Sequence, residues 1–126
     1  MATQTTASSK DVYFVRRSSA NTNGTSSVLT NVPLDSNNSA ATAVVRAYTA
    51  NPSGLGTLVG NIRVRKVFVS LASGNTSNAD EMILEFGTRN TQPLILNGTS
   101  ELVAINMNGV TTAGNSFCIS VEWTEV

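Results

Sequence analysis

The chain has 126 residues, which is enough for one domain with its own core. Its eight basic and eight acidic residues balance, so no overall field attracts nucleic acid or an anionic membrane. The chain contains no histidine, which removes the usual general base, triad partner and zinc ligand. The single cysteine, Cys118, excludes an intrachain disulfide, and without a group to lower its pKa we expect it to be unreactive.

The first ten residues differ from the rest. Residues 1–10 are small and polar and have nothing to bury, so we expect a flexible N-terminal arm that orders against a partner. Residues 11–126 are then expected to form one domain. No secretory leader and no apolar run of about 20 residues is recognised, so we expect the chain to be made and assembled in the cytoplasm, without a membrane span.

Apolar and polar residues alternate with a period of two along most of the chain, which is typical of half-buried strands. Gly, Pro and Asn-Gly turn signals separate these stretches, and none shows the apolar period of a long helix. The stretches so predicted as strands are 12–15, 28–34, 42–49, 62–71, 81–86, 93–96, 102–107 and 117–124. In the last one, Phe117, Ile119, Val121 and Trp123 share a face, which we expect to be core.

The stretch 62–71 contains a change of phase. Ile62 and Val64 alternate with arginines, but after Lys66 the apolar positions are Val67 and Val69. A β-bulge would accommodate such a slip. The alternative is a strand that is apolar on both faces, with a second subunit covering one of them. Overall, the pattern predicts an all-β, single-domain, antiparallel β-sandwich of about eight strands with jelly-roll-like connections.

The basic residues of the same stretch are the main candidate for an interaction site. They have three possible roles: a solvated strand face, an ion-paired protein interface, or a polyanion site. A site for single-stranded nucleic acid would have aromatic residues interleaved with the basic ones, and this stretch lacks them. We take the protein interface as the working hypothesis. The residues predicted to form it are Arg16, Arg17, Arg63, Arg65, Lys66, Val67 and Val69.

Evidence for catalysis is weak. Asp80, Glu81 and Glu85 lie close together, and two carboxylates can hydrolyse a glycoside. On a strand, Glu81 and Glu85 would stand about 13 Å apart, which is wider than either glycosidase geometry. We therefore expect no enzyme activity, no cofactor, no metal and no small-molecule substrate.

Three stretches resemble a known kind of protein. They are NPSGLGTLVGNIR at 51–63, FGTRNTQPLILNGTSELVAINMNGV at 86–110, and VEWTE at 121–125. Together they are similar to small virion proteins of tailed bacteriophages that resemble capsid decoration (cement) proteins. The resemblance covers roughly the last two thirds of the chain and carries no site residues over.

The resemblance implies a structural function. Such proteins are commonly homotrimers that sit on the outer surface of the shell and clamp neighbouring copies of the major capsid protein. A neutral surface and a polar arm suit that task. The alternative is the head of a phage fibre or tail tip that binds host glycans, which would require exposed aromatic residues at the loop tips; the loops near Asn21, Ser36 and Asn75 lack them.

Overall fold

The structure is a computed structural model that describes residues 8–69, 81–107 and 118–125. The described residues form five β-strands and no helix, and every strand pairing is antiparallel, which confirms the predicted all-β class. The chain divides into two compact units. Unit 1 comprises Met1–Ala20 and Thr57–Phe117, and unit 2 comprises Asn21–Gly56 and Cys118–Val126. The predicted assignment of 11–126 to one sandwich domain stays a prediction.

Unit 1 contains a three-stranded sheet in the order β4-β1-β5. Strand β1 (Ser8–Arg17) is central, with β4 (Leu58–Val69) on one side and β5 (Leu102–Asn106) on the other. Strand β1 is longer than the 12–15 expected, because Ser8, Ser9 and Lys10 continue the ladder opposite the end of β4. The last three residues of the predicted arm are therefore strand residues, whereas residues 1–7 lie outside the described part.

The phase change in β4 is not caused by a bulge at that point. The register runs without a shift from Phe14↔Arg63 to Ser8↔Val69. Two register shifts do occur, but nearer the start of β4, between Phe14 and Val15 and between Arg16 and Arg17 of β1. Of the two explanations left open, the register does not support a bulge near Lys66, and the second-subunit explanation stays a prediction.

The core of unit 1 lies where β1 is covered on both of its faces. Val12, Val15 and Val67 are the buried apolar residues of the described part, and Arg17 is buried with them. Val12 and Val15 differ by an odd number of positions, so they point to opposite faces of the central strand. A strand with neighbours on both edges and cover on both faces is the most protected element of the unit.

Unit 2 contains a two-stranded sheet of β2 (Thr25–Leu29) and β3 (Val45–Ala50). Asn23 and Gly24 precede β2 with positive φ angles of 61° and 83°, as expected for the Asn-Gly turn. A Cβ on Gly24 would lie 2.8 Å from the backbone of Ala50 and of Pro52, so this turn needs glycine for space as well as for φ. Strand β2 ends earlier than expected, well before Pro33.

Three predicted strands lie outside the two sheets. In 81–86 burial alternates as expected, with Met82, Leu84 and Phe86 half-buried and the residues between them exposed. The segments 91–97 and 118–125 likewise belong to neither sheet. In the last one the expected core face is wrong: Ile119, Val121 and Trp123 are 56%, 54% and 39% exposed, and Phe117 lies outside the described residues.

Candidate functional site

An aromatic and basic cluster lies on one face of the sheet in unit 1. Phe14 of β1 and Arg63 of β4 are direct ladder partners, so both side chains stand on the same face. Phe86, which ends the extended segment 81–86, stacks on Phe14 with ring centroids 5.5 Å apart and planes at 24°. The guanidinium carbon of Arg63 lies 5.7 Å from the centre of the same Phe86 ring. Phe86 therefore holds the Arg63 side chain by a cation–π contact.

An ion pair lies beside this cluster. The Nη2 of Arg16 donates to Glu101 Oε2 at 2.7 Å, and the backbone N–H of Asn97 donates to the same oxygen at 2.8 Å. The Asn97 hydrogen bond, followed by the Arg16 hydrogen bond, lowers the pKa of Glu101. Glu101 thereby joins β1 to the turn that precedes β5, and it neutralises part of the charge of Arg16.

Arg16, Arg63 and Phe86 border an open groove of about 620 Å³. Arg16 and Arg63 lie on its polar side, and Phe86, Ile62 and the chain around Pro93 provide its apolar lining. No acidic residue lines the groove among the described residues. Arg63 is exposed and donates Nη1 to the carbonyl of Ile62 at 3.2 Å, and it has no acidic partner in this part of the chain. The groove therefore presents, next to apolar surface, a guanidinium that has no acidic partner among the described residues.

The wall of the groove offers main-chain groups as well. Residues 91–97 belong to neither sheet, and the N–H groups of Leu94, Ile95 and Leu96 donate no hydrogen bond within the part of the chain that the structure describes. Ile95 and Leu96 are also 55% and 41% exposed. A backbone with unused donors and acceptors is a template for pairing with another extended chain.

The predicted interface residues are spread over two faces and the interior. Arg65 is exposed on the same face of β4 as Arg63, and Val67 continues that face but is buried within the chain. Lys66 points to the opposite face, where it pairs with Asp11 at 2.9 Å. Arg17 is only 5% exposed. Of the seven predicted residues, the structure thus brings Arg16 and Arg63 together at the groove.

Val69 is the last residue of β4 and pairs with Ser8. The remaining members of the cluster were not anticipated. Phe14, Phe86 and Glu101 are far apart in sequence. The pairing of β1 with β5 brings Glu101 close to β1, and Phe86 meets Phe14 by stacking on it. The alternation in 81–86 indicated that Phe86 faces inward, but no local pattern indicated which strand it meets.

The described carboxylates of the glycosidase hypothesis do not line the groove. Glu81 and Glu85, from the weak glycosidase hypothesis, are both exposed, and Asp80 lies outside the described residues. Within the described ranges, no group of three or more acidic, histidine or cysteine side chains is arranged to hold a metal ion. None of the described residues forms a helix that could cross a bilayer.

A second polar cluster lies in unit 2. The carboxylate of Glu125 accepts hydrogen bonds from the N–H and hydroxyl of Thr42 and from the N–H of Ala43, all at 2.8 Å. The indole N–H of Trp123 adds a fourth at 3.2 Å. These hydrogen bonds, those of the backbone first, lower the pKa of Glu125 to about 2. The Glu125 clasp, as we name this set of four bonds, ties the segment 118–125 to the chain just before β3.

Comparison of the chain with protein-family models, with curated proteins and with solved structures found no match.

Proposed function

We propose that this chain is a non-enzymatic structural protein of a tailed-phage virion: a capsid decoration protein that binds the outer surface of the major capsid protein and stabilises the shell, as a homotrimer. The proposal gives it no small-molecule substrate, no cofactor, no nucleic acid and no membrane partner. Its place is the capsid surface, after assembly in the host cytoplasm. The observation that carries the proposal is the groove of unit 1, in which the Arg63 guanidinium, with no acidic partner among the described residues, lies beside apolar surface.

The groove suits a segment of another protein. An acidic side chain of the partner would meet Arg63, which Phe86 already holds in place and which therefore loses little rotamer freedom on binding. An apolar neighbour of that acid would lie on the lining formed by Ile62 and Pro93. The unused main-chain groups at 94–96 would add hydrogen bonds by strand addition.

The finer fold that we propose is the jelly-roll-like sandwich of about eight strands. The segments at 81–86, 91–97 and 118–125 contain stretches that the sequence predicts as strands and, with β1 to β5, bring the number of observed or predicted strands to eight. They lack ladder partners among the described residues. The proposed sandwich would give each of them a neighbour.

Stabilisation of the shell follows from mass action. A protein that binds only the assembled lattice shifts the equilibrium toward it, and each copy that bridges two capsid subunits adds its own increment. Because many copies act on one shell, a modest interface per copy is sufficient. The near-neutral surface rich in Ser, Thr and Asn limits adhesion to other molecules.

The test is co-sedimentation of the purified chain with capsids of its phage assembled without it. The variant Arg63→Ala should weaken binding by about tenfold or more, since it removes a charged anchor from an apolar setting. The matched control is Arg46→Ala, which removes an exposed arginine from β3 of unit 2 and changes the net charge equally. Wild-type binding by Arg63→Ala, or equal loss in both variants, would contradict the groove as the capsid site.

A further inference from the structure

An unrestrained Asn-Gly pair lies between the groove and β5. Asn97 is exposed and lines the groove, and its side chain makes no hydrogen bond within the described part of the chain. Gly98 follows with a φ of 76°, and a Cβ built on it would meet no atom within 4 Å. The Gly98 N–H donates no hydrogen bond among the described residues either. Nothing in this part of the chain therefore restrains the Asn97 amide or shields the Gly98 nitrogen.

An Asn-Gly pair in these surroundings can deamidate. The backbone nitrogen of Gly98 attacks the Asn97 Cγ, a C–N bond forms in a five-membered succinimide ring, and the side-chain amide leaves as ammonia with the proton that the nitrogen loses. Water then opens the ring at either carbonyl and leaves aspartate or isoaspartate at position 97. Glycine favours ring closure because it has no Cβ to hinder the attack and little restriction on its backbone angles. The reaction consumes one water, releases one ammonia and needs no oxidant or reductant.

A second Asn-Gly pair provides the contrast. Asn23 and Gly24 form the turn before β2, where the Asn23 side-chain amide donates to Ser53 Oγ at 2.9 Å. The space around Gly24 is filled, since a Cβ there would lie 2.8 Å from backbone atoms of Ala50 and Pro52. Ring closure needs a rotation that brings nitrogen and carbon into attacking geometry, and the pairing of β2 with β3 opposes it at this turn. We therefore expect the same dipeptide to react slowly here.

An acid at position 97 would change the charge of the groove. Arg16 and Arg63 line the groove, and no acidic residue does so among the described residues. Glu101 already accepts hydrogen bonds from Arg16 and from the backbone N–H of Asn97. Arg63 is the lining cation without an acidic partner in the described part. A carboxylate at position 97 lowers the positive charge of the groove and competes with an acidic partner for this guanidinium.

We propose that Asn97 is a site of spontaneous deamidation, and that the acid formed there weakens the binding of an acidic partner segment in the groove. The modification itself does not depend on what the chain binds. Its effect on binding rests on the proposed function, in which the groove is the capsid site. Copies that have aged in solution then bind the capsid more weakly than newly made ones.

The first experiment measures where the full-length chain deamidates. Purified protein is incubated in mildly alkaline buffer, either folded or in urea, and peptide mapping by mass spectrometry quantifies the acid formed at each asparagine. In the folded chain Asn97 should convert at least about tenfold faster than Asn23, because only Asn97 can reach attacking geometry without moving a strand. In urea the two identical dipeptides should convert at similar rates. Equal rates in the folded chain, or a faster Asn23, overturn the inference.

The variant Gly98→Ala tests the chemistry of the same step. The added Cβ hinders the attacking nitrogen, so conversion at Asn97 should slow while conversion at Asn23 stays unchanged. Circular dichroism establishes that the variant folds. Unslowed conversion at position 97 would contradict ring closure through the Gly98 nitrogen.

The second experiment measures what the acid does to binding. Asn97→Asp places a carboxylate at the groove and should weaken co-sedimentation with capsids by about tenfold. Asn97→Gln keeps a neutral amide and should bind like wild type. The matched control is Asn51→Asp, which adds the same charge at an exposed position of unit 2 and should leave binding unchanged. Equal binding by Asn97→Asp and Asn97→Gln refutes the effect on the groove.

Failure of the inference and failure of the proposed function are distinguishable. A chain that binds capsids but converts no faster at Asn97 than at Asn23, or whose Asn97→Asp variant binds like wild type, contradicts only this inference. A chain that converts rapidly at Asn97 but ignores capsids contradicts the decoration function, and with it the effect of the acid on capsid binding, while the deamidation site stands.

Discussion

The central position of β1 makes Val15 the most sensitive apolar residue of unit 1. Val15 is 2% exposed, so Val15→Ala removes two buried side-chain carbon atoms with their hydrogens. At about 0.8 kcal/mol for each, transfer alone gives about 1.6 kcal/mol, and the remaining cavity raises the loss to about 2–3 kcal/mol. That is a large share of the about 5–15 kcal/mol by which a small domain is stable.

The matched control is Val64→Ala on the neighbouring strand β4. Val64 is 53% exposed, so the same truncation should cost less than about 1 kcal/mol. Urea unfolding followed by circular dichroism measures both losses as a change of midpoint at unchanged slope. All samples are compared at one protein concentration, because association raises apparent stability. Equal losses for the two variants would refute the placement of β1 at the centre of the sheet.

Three further predictions concern the clasp, a turn and the arm. The pKa of Glu125 lies below its usual value of 4.5, at about 2. The ionised Glu125 carboxylate therefore stabilises the folded state fully above pH 4.5, and this contribution is lost as the pH falls through about 2. Trp123 emission should change over that pH window in wild type and not in Glu125→Gln. Gly24→Ala should lower the melting temperature more than Gly98→Ala, since both glycines have positive φ but only Gly24 is crowded by backbone. Deleting residues 1–7 should weaken capsid binding in co-sedimentation but leave the circular dichroism unchanged; undiminished binding would contradict the arm's role.

Local pattern predicted which stretches are extended. The stretches predicted as strands at 12–15, 42–49, 62–71 and 102–107 correspond to β1, β3, β4 and β5, and the Asn-Gly pair at Asn23 produced the expected turn. The alternation at 81–86 also predicted which side chains are half-buried. These features depend on neighbours along the chain, which sequence displays directly.

Long-range placement was not predictable. The cluster needs Phe14, Arg63 and Phe86 at one point. That depends on the β1–β4 register and on the stacking of Phe86, neither of which a single stretch encodes. The expected core face of the last segment was wrong for a related reason. An alternating stretch such as 118–125 indicates that one face avoids water, but it does not say whether the cover comes from the same chain or from another.

The basic residues illustrate the same limit. Arg17 and Lys66 are both basic residues that the sequence predicts to form the protein interface. In the structure Arg17 is buried, and Lys66 pairs with Asp11. Only Arg63 and Arg65 remain exposed on the face of β4 that borders the groove, and Arg63 contacts Phe86. The predicted protein interface is thereby reduced to a smaller, testable surface.

The most direct test of the central claim, that this chain decorates a capsid, is imaging of phage capsids assembled without it and then mixed with the purified protein. The account predicts new density in hundreds of symmetric copies on the outer surface of the shell, absent when Arg63→Ala is used at the same concentration. A bare shell, or density in only a few copies at the tail, would contradict it.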